Sequence, residues 1–212
     1  MSQAVLKKSK GRPSGDDSAD IKQAILDAAE ERFAASGYAA TSLRKIADQV
    51  GVNPAMVHYY FGNKRTLLQR VLERSLVPMA AAIAEMKTDE KASAPEVARR
   101  LLITMAEHPS LPALLVREVM LPGGVMQEHF IEKLAPHLGG AVTGLLNREQ
   151  EESRLRADFN PQISSVMLLS LCMFPFIVRD LAKAVLHVTY DDKGMKELEQ
   201  HICGFLEQGF SS

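Results

Sequence analysis

A chain of 212 residues with 46% apolar content can build one large domain or two small ones around a sizeable core. The formal charge of −1 is uneven: residues 1–75 carry twelve basic and eight acidic side chains, net +4, and the remainder is −5, which fits a polyanion-binding head on a non-binding body. Cys172 and Cys203 have neither metal spacing nor a disulfide framework, the start MSQAVLKKSKGRP has no apolar stretch of signal-peptide length, and the longest apolar run, Val166 to Val178, is interrupted by Pro175, so the expectation is a soluble, cytoplasmic protein that does not span a membrane.

Residues 1–18 are polar, basic and glycine-containing and read as a flexible arm. A helix is expected from about Ala19 to Ser36, with Ile21, Ile25, Ala28, Ala29 and Phe33 at helical spacing and Gly37 closing it. Two short helices follow, Leu43 to Gln49 and Pro54 to Tyr60. A long one begins at Lys64, carries Leu67, Leu68, Val71, Leu72 and Leu76, and is expected to kink or end at Pro78. The stretch TDEKASAP reads as a loop, and Pro95 to Glu107 as a helix. Ala113 to Leu121, Val125 to Leu138 and Ala141 to Arg154 come next, divided by Pro122-Gly123-Gly124 and by Gly139-Gly140. Pro161 to His187 is the most apolar helix, and Lys193 to Phe210 the last. The fold class is therefore all-α: a three-helix head over 19–63 on a helical body over 64–212.

The stretch TSLRKIADQVGVNPAMVHYYFGNK, residues 41–64, has the spacing of a helix-turn-helix. Ala47 is small where the second helix crosses the first, and Gly51 can take the positive φ of a tight turn. Val57 points back toward Leu43, Ile46 and Val50. Asn53 followed by Pro54 is a strong helix start, since the asparagine caps a free N–H and proline has none to leave unpaired. Arg44 and Lys45 after Ser42, and Lys64 and Arg65 after Asn63, put cations at helix N-termini, where they cost about 0.3–1 kcal/mol. An approaching phosphate would reverse that sign, so the two pairs read as DNA-facing. Ala55, Met56, His58 and Tyr59 are the outward positions of the second helix and the candidates for base or phosphate contact; Tyr60 and Phe61 read as core.

These residues carry a resemblance. Residues 19–75, and above all GVNPAMVHYYF at 51–61 followed by Asn63-Lys64, are similar to the N-terminal domain of the TetR family of bacterial transcriptional regulators. The resemblance implies a base or phosphate contact for Arg44, phosphate-facing positions for Thr41 and Ser42, and a phosphate-binding role for Lys64. His58 departs from the family, which usually has tyrosine there. The arm KKSKGRP, with Arg12 between Gly11 and Pro13, resembles a minor-groove-reading extension.

The body carries the remaining expectations. Its last two helices resemble the family's dimerising pair, with Ile163, Met167, Leu168 and Leu171 on one and Leu198, Ile202, Phe205 and Leu206 on the other. Met105, Arg117, Met120, Phe130, Met167, Met173 and Phe174 are candidates to line a pocket for a small, largely apolar effector, because methionine and phenylalanine adapt to such ligands. Arg117 and Arg179 stand out as charges inside apolar segments. Neither metal-ligand spacing nor a cofactor motif is present. The expected function is a homodimeric, effector-responsive repressor on a palindromic operator. The alternatives are an activator, a regulator controlled by a protein partner, or an all-helical enzyme with a helix-turn-helix look-alike.

Overall fold

The computed structural model describes residues 15–86 and 92–210, and every regular element among them is helical. Helix α1 (Gly15–Ala40) packs on α2 (Leu43–Val50) and α4 (Lys64–Glu85); α3 (Pro54–Phe61) closes the head. In the body, α5 (Ala94–Glu107) packs against α9 (Pro161–Ile177) and α11 (Asp192–Phe210), and α8 (Ala135–Glu151) against α4 and α9. Between them, α6 (Leu111–Leu115) runs into a π-helical turn, Val116–Met120, and α7 (Gln127–His129) into another, Phe130–Leu134. The arm expected over 1–18 lies outside the described residues, except that α1 already begins at Gly15.

Buried side chains form one contiguous core from Ile25 and Phe33 in α1, through Leu67, Leu68, Val71 and Leu72 in α4, to Leu101, Leu145 and Leu168 in the body. Helix α4 thus belongs to both ends, and Arg74 fixes it to α1 through Asp27 (2.6 Å) and Glu30.

Two expected interruptions and one expected continuous helix fall differently. Helix α4 runs through Pro78 to Glu85. An interior proline costs about 3 kcal/mol, but Met79, Ala80 and Ile83 beyond it are buried. Each large apolar side chain there gains about 1.5–3 kcal/mol, so the helix survives. Helix α8 likewise runs through Gly139 and Gly140. Two helical glycines cost about 2 kcal/mol together, less than the burial of Val142, Leu145 and Leu146 returns. The stretch expected as one helix from Pro161 to His187 is instead α9 and α10 (Arg179–Leu186), bent by 71° just after Pro175. No single helix among the described residues is long and apolar enough to cross a membrane.

The junction of head and body rests on a break inside α1. Gly37 adopts φ 77° and ψ 168°, which interrupts the helical hydrogen bonds. The π-helical turn after α6 replaces them: Glu118 Oε1 accepts the Tyr38 N–H at 2.9 Å, and Arg117 Nη1 donates to Ala34 O at 2.9 Å. A β-carbon at Gly37 would lie 3.2 Å from Arg117 Cδ, so a larger residue there would crowd the contact as well as strain the backbone. Arg117 therefore does not face a ligand pocket, and that expectation is corrected. Its guanidinium caps α1.

Candidate nucleic-acid interface

Each end of the two short helices is fixed by its own residues. Ser42 is the N-cap of α2 and its hydroxyl accepts from Lys45 N at 3.3 Å. Gly51 ends α2 at φ 76° and ψ 27°, the left-handed conformation foreseen for the turn. Asn53 Oδ1 accepts from Ala55 N at 2.9 Å, with Pro54 at the first helical position. Ile46, Ala47 and Val57 are fully buried, so the angle between the helices is set by close packing.

On this scaffold Ala55, His58 and Tyr59 are exposed and Met56 is half-buried. Tyr59 is 76% exposed, its ring edge-on to Tyr60, which is half-buried and packs on the core as Phe61 does. His58 Nδ1 lies 2.7 Å from Gly62 O. A carbonyl only accepts, so Nδ1 holds the proton and Nε2 is left with a free lone pair in the neutral ring. The ring therefore caps the end of α3 while presenting one nitrogen.

The paired cations divide differently from the sequence expectation. Lys64 Nζ donates to Tyr38 O (2.7 Å) and Thr41 O (2.9 Å), and lies 4.2 Å from the Tyr38 ring centroid. Lys45 Nζ donates to Ala40 O at 3.3 Å. Both ammonium groups serve the carbonyl end of α1, where the helix dipole is negative. Their unfavourable placement at one helix start is thus compensated by a favourable one at another helix end. Lys64 is accordingly corrected from phosphate ligand to internal clamp. Thr41 is corrected too: it is buried, and its hydroxyl donates toward Gly37 O (2.9 Å) and Arg32 O (3.2 Å). Arg44 and Arg65 remain exposed. Arg44 approaches only Asp48, at 4.0 Å, an exposed pair worth about 0–1 kcal/mol.

The residues expected around an effector are scattered. Met105 is buried in α5, Phe130 is half-buried, Met120 is 48% exposed, and Met167 and Phe174 lie on the outside of α9. The body does contain a cavity of about 470 Å³ between α4 and α8, and none of these residues lines it. Its walls are Leu76, Val77, Ala80, Ala81, Ala84 and Ala141, with Lys133 and His137 among its lining polar groups. Sequence reasoning missed it, although a run of alanines facing Gly140 and Ala141 is a pattern in which two small-residue faces leave a gap.

The expected dimer residues separate in the same way. Leu168 and Ile202 are buried within the chain and Leu171 and Leu198 are half-buried, which corrects Leu168 and Ile202 as surface contacts. The exposed large apolar side chains of α9 and α11 are Ile163, Val166, Met167, Phe174, Ile177 and Phe205.

Comparison with known proteins bears on the head and on the whole chain. Residues 25–71 match the family model for bacterial regulatory proteins of the tetR family. The HTH-type transcriptional repressor NicS of Pseudomonas putida is 26% identical over 178 residues, 81% of this chain and 83% of that protein. The HTH-type transcriptional repressor SCO4008 of Streptomyces coelicolor is 30% identical over 132 residues, 59% of this chain and 67% of that protein. Among solved structures, the regulator FadR of Bacillus subtilis in complex with stearoyl-CoA superposes with a TM-score of 0.67 at 19% identity, covering 89% of this chain and 98% of that one. A helix-turn-helix held at both ends by its own caps, with relatives that are repressors along most of their length, makes this chain a member of the TetR family of bacterial transcriptional regulators.

Proposed function

We propose that the protein represses transcription as a homodimer on a palindromic operator and releases DNA when a small, largely apolar molecule enters the cavity between α4 and α8. One helix-turn-helix unit reads only a few base pairs, so a two-fold pair is the usual route to a specific site. The observation that most supports pairing is the row of Ile163, Val166, Met167, Phe174 and Phe205, large apolar side chains left exposed on adjacent helices. Contiguous exposed apolar surface marks interaction sites.

In this reading Ala55 and Met56 meet thymine methyl groups, and Tyr59 a base edge or phosphate. His58 Nε2 accepts from a base amino group. Arg44, with Ser42 and Asn53 at the helix starts, addresses phosphates, and Arg65 joins it in place of Lys64. The proposed division into arm, head and body keeps α4 as the connection. An occupant that spreads α4 from α8 would move the first turn of α4, where Lys64 holds the end of α1, and so the spacing of two recognition helices. A hundredfold drop in operator affinity requires about 2.7 kcal/mol of coupling, within the usual allosteric range. The stearoyl-CoA held by FadR of Bacillus subtilis supports an apolar effector as the class to try first.

The test is operator binding by fluorescence anisotropy in the presence of fatty acids and their thioesters, for the natural chain and for Ala80→Phe, which fills the cavity. Release by such a molecule from the natural chain, and not from Ala80→Phe, is expected. Release that is unchanged in Ala80→Phe would exclude this cavity as the effector site.

A further inference from the structure

We propose that a second cleft, at the turn from α10 into α11, binds a phosphoryl dianion. This inference goes beyond the regulatory reading above and does not depend on it. The cleft, of about 550 Å³, is lined by Arg179, Lys183, His187, Thr189, Tyr190 and Asp191. Arg179 and Lys183, four residues apart, share one face of α10, and His187 follows as its C-cap.

The floor is fixed. Tyr190 Oη donates to Pro175 O at 2.6 Å, and the ring packs edge-on against Phe176. Over it lie the Arg179 guanidinium, 5.0 Å from the ring centroid, and Lys183 Nζ at 5.7 Å. Neither cation forms an ion pair among the described residues, and Arg179 Nε is shielded from solvent with no hydrogen-bond partner. Asp191, which also lines the cleft, accepts from Gly194 N (2.8 Å) and the Thr189 hydroxyl (3.2 Å) at Oδ1, and these bonds hold its pKa below the ordinary value, so its single negative charge stands against the two cations. His187 adopts φ 57°, a left-handed conformation in which a glycine would be cheaper, and so places an imidazole where the helix ends. Two permanent cations and a histidine converge on an aromatic floor within a body that is acidic overall. Two cations outnumber the one carboxylate, and a phosphoryl group supplies the acceptor oxygens and negative charge that they lack, with a geometry that a guanidinium fork fits. Leu181 and Val185 project from the opposite face of α10, so a subunit docked on them would leave the cations open.

The experiment is calorimetric titration of the full chain at constant ionic strength, with sodium phosphate in one arm and phenyl phosphate in the other. Saturable binding is expected, with phosphate favoured if the occupant is the free ion and phenyl phosphate favoured if it is an ester. Affinity should fall about tenfold or more, through removal of two charge-assisted hydrogen-bond donors, in the double variant Arg179→Gln/Lys183→Gln. Lys183→Gln alone changes an exposed side chain, retains the fold, and should weaken binding in the same direction. Arg100→Gln, exposed on α5 and outside the cleft, should leave it unchanged. No saturable heat with either probe, or equal affinities in the natural chain and Lys183→Gln, would overturn the proposal.

Discussion

Lys64→Ala separates clamp from phosphate ligand. The ammonium donates to Tyr38 O and Thr41 O and covers the Tyr38 ring. Hydrogen bonds from a charged donor contribute about 1.5–3 kcal/mol each, although part of this is recovered when water reaches the exposed end of α1. A net loss of about 2–3 kcal/mol is expected. For a chain of this size each kcal/mol lowers Tm by about 2–4 °C, so the transition should fall by about 4–12 °C. Operator binding measured against salt provides the second reading. The slope of log K against log salt changes by about 0.9 for every phosphate that the protein ceases to neutralise, or about 1.8 for a dimer. Arg44→Ala should reduce the slope by that amount with Tm nearly unchanged, whereas Lys64→Ala should lower Tm and leave the slope alone. The opposite pattern, a flattened slope with an unaltered Tm in Lys64→Ala, would refute the clamp.

Phe174→Asp and Phe205→Asp should yield folded monomers by analytical ultracentrifugation, since both rings are exposed in the single chain. Leu168→Asp, by contrast, should cost several kcal/mol and lose helical content, because its charge would be buried in the core. Gly139→Ala should raise stability by about 0.5–1 kcal/mol in urea titrations: the site is helical and a β-carbon there meets nothing within 4 Å. Burial raises the pKa of Glu149, against the pull of the Ala94 N–H and the charges of Arg154 and Arg148. The folded state therefore holds this proton more tightly than the unfolded one, and its contribution to stability is present at low pH and is lost as pH rises through the raised value. Glu149→Gln should accordingly gain stability relative to the natural chain as pH rises from about 4.5, the ordinary range for glutamate; identical pH profiles would refute the assignment.

The sequence by itself determined the helix-turn-helix. Its specification is local: caps at Ser42 and Asn53, a left-handed glycine at 51, a small residue at 47 and periodic apolar positions, each acting within a few residues of its own place. Those preferences are the same in an isolated peptide as in the folded chain. Tertiary structure decided the rest. Lys64 and Lys45 read as cations at helix starts, and only folding brings the carbonyl end of α1 against them, which turns an apparent phosphate site into a clamp. Pro78 and Gly139-Gly140 read as breaks, and the burial of Ile83, Leu145 and Leu146 on distant partners outweighs the local cost. Leu168 and Phe174 lie on the same apolar helix, yet one is buried and the other exposed, because the face that a helix hides depends on its neighbours. Arg117 reached Ala34 for the same reason: a charge in an apolar run shows that a partner must exist, while the partner's place, 83 residues away, is set by packing that no local pattern encodes.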